Sequence, residues 1–547
     1  MASVATYIRT IRYLRAAQVL GRARLKLFRA RLVLASCGSP RAMTGRWSAP
    51  ARIEARLTAD GYARFLGTER KLDETPWDEP SISRLWRYNL HYFDDLAAYD
   101  SVGRAKLHST LIERWIAENP APRGTGWEPF PTSRRIVNWI KWALDGHALS
   151  TNALRSLATQ ARWLAMRLEW HLLGNHLFSN AKALMFAGSF LESEGDDEYW
   201  RARSGRILER EIPEQILADG GHFERSPMYH AATLEDSLDL VNVMRAFPVQ
   251  SDSVRLGVEE LLSDRIPGML RWLQLLSHPD GSMGLFNDSA DGIAPTVAEL
   301  NEYAARLGFT MPSSRVEDEV VVLPNSGYVR VALNAVVALL DVAPVGPDYI
   351  PGHAHADTLS FELSLGGRRV IVNGGTSDYQ DGPVRTWERS TSAHSTVEVA
   401  GRNSSEVWGA FRVGRRARPS PVAVERHKDG LTISASHDGY RYLRGRPIHH
   451  RSWHFGRAQL EIVDRLSYAD ISARARFILS PDLTVAEVSP GTWSIRHAGR
   501  QVADISALVG VGSLTDAWSS IRFGERRETK CLDVELDQGC ARTRIRW

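Results

Sequence analysis

Histidines at 353 and 355 and a carboxylate at 357 occupy every second position of Gly352-His353-Ala354-His355-Ala356-Asp357-Thr358-Leu359. Such residues can ligate zinc, which takes imidazole nitrogen and carboxylate oxygen, or move protons near neutral pH. The alternation continues through Leu359, Phe361, Leu363 and Leu365, opposite Thr358, Ser360, Glu362 and Ser364. Side chains on a strand point to alternate faces. The segment therefore predicts a strand whose apolar part lies in a core and whose polar end reaches a rim.

Other segments carry similar chemistry. Leu173-Gly174-Asn175-His176 sets an amide donor beside an imidazole at a predicted helix start. Asp219 to His230 packs ionisable groups, Glu224 and Tyr229 among them, into a glycine turn leading to a helix. Leu285 to Asp291, with Asn287 and Asp288, reads as a polar loop. Val370-Ile371-Val372-Asn373-Gly374 ends an apolar strand on an amide, and Arg389 to Val397 places His394 just before another strand. His355 and His394, with an oxygen from Asn373 or Asp357, can form a mixed zinc site.

These residues need a scaffold. From about Trp47 to Met311 the chain reads as helical, for example Leu154–Leu168, Asn180–Glu194, Tyr199–Leu217 and Ala231–Ala246. After Arg315 the texture changes to short β-branched runs, beginning with Val320–Leu323, Gly327–Leu333 and Ala335–Val342. Helices followed by strands imply two structural layers and not alternating βαβ units. The expected division is residues 1–46, 47–312 and 313–547.

The chain has 547 residues, enough for more than one core. Its 17 tryptophans are expected mainly in cores, though exposed ones suit stacking on sugar rings. Cys37, Cys531 and Cys540 have no metal-ligand spacing and form no disulfide framework. Charge is uneven. No acidic residue precedes Glu54, whereas eleven basic ones do, so the formal +4 leaves about −7 for the remainder. Residues 1–46 read as a basic amphipathic segment. It can lie on an anionic membrane or pack its apolar side on the main body. No apolar stretch is long enough for a secretory core or a membrane span. A cytoplasmic place, or one against the inner membrane, is expected.

Together, Asn175-His176, the Asp219–His230 loop, His353 to Asp357 and Arg389 to His394 resemble the heparinase II/III family of polysaccharide lyases. The resemblance runs from about Trp86 to the C-terminal strands. It implies an α+β multidomain fold, an incomplete (α/α) toroid followed by an antiparallel β-sandwich. It further implies β-elimination on a uronic-acid polysaccharide, in capsule or exopolysaccharide metabolism. By resemblance Asn175 and His176 neutralise the uronate carboxylate, and Tyr229 protonates the leaving oxygen, or serves as acid and base if its pKa is lowered. His353 assists the base or holds the sugar acid. Arg134, Arg135, Glu224 and Arg389 are candidates for substrate binding, since Arg meets carboxylates bidentately. The implied partner is an anionic polysaccharide or oligosaccharide, not nucleic acid.

Two features depart from the family pattern. Relatives with a structural metal use a His, Asp, His set, which maps here to His355, Asn373 and His394. A neutral amide is a poorer zinc ligand than a carboxylate, so weak or absent zinc is expected. Degradative relatives are commonly periplasmic, which remains the alternative location. A glycoside hydrolase using Glu224 and Asp288, or a non-catalytic polysaccharide-binding or assembly protein, are the competing readings.

Overall fold

The structure, a computed structural model, describes residues 3–28, 30–35, 39–193, 195–249, 252–310 and 320–547. Cys37 and the expected boundary near 313 lie outside them. Among the described residues, helices dominate first: α1 (Val4–Ile11), α2 (Ala16–Leu27), α3 (Arg84–Tyr92), α4 (Ala105–Glu118), α5 (Pro129–Leu144) and α6 (Thr151–Met166). There follow α7 (Gly174–Phe190), α8 (Asp196–Gln215), α9 (Pro227–Ala246), α10 (Ser253–Leu275) and α11 (Val297–Arg306). The short α12 (Pro383–Glu388) lies among the later strands.

The helix starts follow local chemistry. Ser150, Ser226 and Thr296 cap α6, α9 and α11 by accepting a backbone N–H two or three residues on. Proline stands in the first turn of α5 and α9, where its missing N–H costs nothing. Helix α5 packs on α3, α6 and α7, α7 on α8 and α9, and α9 on α10 and α11, forming an open toroid. Central helices α7 and α9 are buried nearly all round, so their charges must be paired. Lys182 meets Asp236 and Asp239 at 2.6 Å each, and Lys141 meets Asp239 at 3.0 Å. Trp86, Trp115, Trp139, Trp200, Trp272 and Trp453 are fully buried, as the tryptophan-rich composition predicts for cores.

Helix α7 begins and ends earlier than expected. Leu191–Glu192 leaves the helix to pair with Ser39–Pro40, because it bonds a strand instead of the preceding turn.

Two antiparallel sheets make up the second half. One has nine strands, running from Val511–Ser519 through Arg527–Glu535, Ala473–Leu479, Arg368–Val372, Phe361–Leu365, Val336–Asp341 and Tyr328–Leu333 to Val320–Leu323. Val397–Val399 adds to it beside Ala473–Leu479. The other has eight strands, from Ala423–His427 to Thr484–Ser489, and faces it across a core including Phe361, Phe477 and Trp453. Cys531 and Cys540 are free thiols.

The expected strand through His353–Asp357 does not form. Residues 352–360 are a loop and the strand starts at Phe361. The loop's backbone groups bond outside any ladder: His355 N–H donates to Asn287 Oδ1, and Ala354 O accepts from Arg389. Leu359 takes a positive φ of 66°. From Phe361 the alternation holds, but both faces are covered. Glu362 and Ser364 turn to the helical half, where His278 reaches each at 2.8 Å.

Candidate active site

The candidate site gathers where the start of α9 and the 285–291 loop meet the His353 loop before the first sheet's Phe361–Leu365 strand. On the toroid side, Leu173 and Gly174 both have positive φ, turning the chain into α7. The positive φ of Gly174, 55°, favours glycine there, and an added Cβ would stand 2.8 Å from Ile350 Cδ1 and 3.2 Å from Glu224 Oε1. This turn puts Asn175 and His176 in the first helical turn, half-buried. His176 Nδ1 lies 3.1 Å from Glu169 Oε1, and Asn180 donates to Glu169 Oε2 at 3.0 Å. Burial opposes the imidazolium, but the Glu169 charge and hydrogen bond outweigh it and raise the His176 pKa.

Tyr229 is fixed by the start of α9. The Ser226 hydroxyl accepts from Tyr229 N–H at 3.1 Å and donates to Asp288 O, tying the helix to the 285–291 loop. The Tyr229 ring stacks on His353 with centroids 3.7 Å apart, and its hydroxyl meets the Tyr379 hydroxyl at 3.1 Å. Burial, aided by the Asp288 charge, pushes the Tyr229 pKa well up, so the phenol holds its proton. The low pKa needed for a tyrosine base is not found.

Asp288 is the hub. It accepts from Arg385 through both oxygens, from His353 Nδ1 at 2.9 Å and from His355 Nε2 at 2.8 Å. Desolvation would raise its pKa, but Arg385 and the two histidines hold it well below the ordinary carboxylate range. With Nδ1–H committed to this anion, the other ring nitrogen, Nε2, stands 3.6 Å from Glu224 Oε2. Glu224 is buried, and neither carboxylate oxygen has a hydrogen-bond partner among the described residues. Burial raises its pKa, offset in part by His353 and His176.

Behind this face lies a second histidine pair. His355 Nδ1 and His394 Nε2 are 3.1 Å apart, with an Asp357 oxygen within 4.8 Å of both. His355 Nε2–H points to Asp288, and His394 Nδ1–H to the Ser390 carbonyl at 2.7 Å. Burial lowers both pKa values, His355 to about 3, so each ring carries one N–H and two bare nitrogens face each other. These two nitrogens with an Asp357 oxygen are a donor set that fits a divalent cation. Two nitrogens on one tetrahedral zinc stand about 3.3 Å apart, close to the observed spacing.

A matching cluster in the sandwich needs no ion. His449 Nε2 meets Asp464, which Arg451 clasps, and His449 Nδ1 meets His437 Nε2 at 3.2 Å. There His437 Nδ1 accepts from Gly439 N–H, so its Nε2 carries the proton and donates to His449. The tautomers differ between the two clusters, and among the described residues only the first has a carboxylate, Asp357, placed with both histidines.

Residues 41–308 match the heparinase II/III N-terminus family and residues 316–547 the heparinase II/III-like C-terminal family. The chain belongs to the heparinase II/III family. It is 26% identical over 328 residues to a heparin-sulfate lyase of Pedobacter heparinus, covering 53% of this chain and 47% of the relative. It is 27% identical over 408 residues to FtsZ-localized protein C of Caulobacter vibrioides, covering 72% and 66%. The chain thus spans about half to two thirds of these relatives' lengths. Heparinase III shares the fold at a TM-score of 0.66 and 18% identity, over 88% of this chain and 79% of its own. A mutant of the Pedobacter heparinus heparan sulfate lyase gives 0.58 and 20%, over 89% and 81%.

The fold is that of the heparinase II/III family, an open helical toroid followed by an antiparallel sandwich. Of the residues singled out by resemblance to it, Tyr229 stacks on His353, His353 lies 3.6 Å from Glu224, the Glu224 charge acts on His176, and Asn175 stands beside His176 in the first turn of α7. Others belong elsewhere. Arg135 is buried on the Trp115 ring, donating to Gln160 and the His91 carbonyl, and is a core cation with no access to substrate. Arg389 is also buried and spends its guanidinium on the Ala354 and Gly409 carbonyls, bracing the His353 loop. Arg134 pairs with Asp94 at 2.9 Å and keeps partial exposure. Asn373 gives its oxygen to Ser395 N–H, so the carboxylate gathered with His355 and His394 is Asp357. Asp288, fully engaged by cations and histidines, cannot act as a glycosidase acid.

Three site residues carry no sequence signal of their own: Tyr379, Arg385 and Glu169. Tyr379 and Arg385 lie in or beside a short helix that no periodicity marks. Glu169 matters only through its contact with His176.

Proposed function

We propose that this chain is a polysaccharide lyase that cuts a uronic-acid polymer by β-elimination. The carrying observation is the pairing of opposite capacities in one site. Asn175 and His176, whose pKa Glu169 raises, stand at the start of α7, and His353 stacked on the protonated Tyr229 of α9 stands with them. The substrates of the heparin-sulfate lyase relatives agree with an anionic chain.

Asn175 and His176 meet the uronate carboxylate and disperse the charge that builds on it as C5 loses its proton. His353 Nε2 takes that proton, its ring held in the accepting tautomer by Asp288 and Arg385. The C5–H electron pair becomes the C4–C5 double bond. The C4–O4 bond breaks, and Tyr229 gives its proton to O4, with Tyr379 in reach to pass one back. Substrate binding falls to Arg134 at the margin of the site, while Glu224 stays buried beside His353. His355, His394 and Asp357 would hold zinc, which would brace the loop carrying His353 by crosslinking residues 355, 357 and 394.

Uronate polymers incubated with the protein should yield a 4,5-unsaturated product that absorbs in the ultraviolet, and Tyr229→Phe should abolish it. Polymer binding with no chromophore in either protein would favour a carbohydrate-binding or assembly role instead.

A further inference from the structure

The N-terminal helices are mounted with their apolar sides outward. In α1, Thr6, Arg9 and Thr10 share one face and hold the body: Thr6 and Arg9 bond Glu406, and Thr10 accepts from Trp408 Nε1 at 3.1 Å. The opposite face, Val4, Ile8 and Ile11 at helical spacing, is exposed, Val4 by 76%. In α2, Gln18 donates to the Tyr349 carbonyl, and Gly21 lies against the His171 backbone. Leu20 and Leu27 point away, 68% and 85% exposed. The expectation that this segment packs its apolar side on the body is reversed.

Val4, Ile8, Ile11, Leu20 and Leu27, five large apolar side chains left exposed on two successive helices, call for an occupant. Arg12, Arg24 and Lys26 flank the stripe, all exposed, and residues 3–28 contain no acidic side chain. A second copy of this chain is disfavoured, because a self-complementary contact would set these cations against each other. Nor does any described helix have the length and apolarity to cross a membrane. Exposed apolar side chains bordered by arginine and lysine are what an interfacial helix presents to lipid.

We propose that α1 and α2 dock the protein on an anionic lipid bilayer, apolar stripe in the acyl boundary and cations at the headgroups. The surface stands beside the site. The hairpin that α1 grips, Val407–Trp408 with Arg412–Val413, carries Phe411, whose ring lies 6.1 Å from His353. A lyase docked this way meets polymer held at the membrane face. The docking itself does not depend on the lyase reading.

The full chain should be sedimented with vesicles of phosphatidylcholine alone and of phosphatidylcholine with phosphatidylglycerol, at low and high salt. Partition onto the anionic vesicles should be on the order of tenfold greater, and salt should weaken it. Ile8→Glu combined with Leu20→Glu and Leu27→Glu should abolish binding while thermal unfolding stays unchanged. The charge-only variant, Arg12→Gln with Arg24→Gln and Lys26→Gln, should lose the preference for anionic lipid with the apolar stripe intact. Equal binding to both vesicle types overturns the proposal, as does unimpaired binding by either variant. Absence of binding overturns it too, whether the protein sediments as a monomer or as a dimer that Leu20→Glu dissociates.

Discussion

The His353 ring donates through Nδ1 to Asp288 across 2.9 Å and turns its other nitrogen towards Glu224, 3.6 Å away. Asp288 is in turn clasped by Arg385, so one buried ion pair decides which His353 nitrogen is free to accept a proton.

Replacing Asp288 by Asn should therefore damage both chemistry and fold. An amide can hydrogen-bond His353 in either tautomer, and kcat should drop on the order of 10²–10⁴-fold. Arg385 would be left buried without its anion, at a cost of about 3–5 kcal/mol. Ultraviolet product assays and denaturant unfolding measure the two effects separately. Retained kcat would remove His353 from the base role.

Tyr229→Phe removes the proton donor but keeps the ring stacked on His353. Turnover should fall on the order of 10²–10⁴-fold. Stability should change by only about 1 kcal/mol, the net worth of one hydrogen bond. Tyr379→Phe should cost less in turnover. If Tyr229→Phe retained full activity, the acid would have to be another group.

The pH profile should report His176. Its raised pKa keeps the donor form present to higher pH than a free histidine would allow. The stability from its pairing with Glu169 is fully present below the ordinary histidine pKa and is lost as pH rises through the raised value. Glu169→Gln should move the basic limb of kcat/KM to lower pH. An unmoved limb would assign that limb to a different residue.

Zinc should be held through His355, His394 and Asp357. Metal analysis after dialysis should find about one equivalent, and Asp357→Asn should lower affinity on the order of 10–100-fold. Asn373→Asp, by contrast, should change affinity little, because Oδ1 of residue 373 already accepts from Ser395. Zinc absent from the protein, with Asp357→Asn leaving the unfolding temperature unchanged, would make the two histidines share a proton.

Arg135→Met should leave KM for polymer unchanged, since the guanidinium lies on Trp115 inside the toroid. Stability should be neutral or improved, because burial already disfavours this charge and no carboxylate pairs with it. A raised KM would show that Arg135 reaches substrate after all.

The sequence by itself determined the order of the two halves, since hydrophobic period changes from helical to alternating near residue 320 and period depends only on local geometry. It also marked the segments holding Asn175, His176, Tyr229 and His353, whose polar residue types are local signals, while their separate roles came from resemblance to the family. Tertiary structure decided the rest. The His353–Asp357 alternation reads as a strand, yet the loop's backbone groups find partners on Asn287 and Arg389, far along the chain. Arg134 and Arg135 are neighbours in sequence, but a helix turns them to different surroundings, one beside Asp94 and one against Trp115. Which carboxylate joins His355 and His394, which way the N-terminal stripe faces, and which nitrogen of each histidine carries its proton all depend on contacts between distant segments. Spacing along a chain fixes which side chains share a face, whereas burial and hydrogen-bond partners are fixed only when that face meets another.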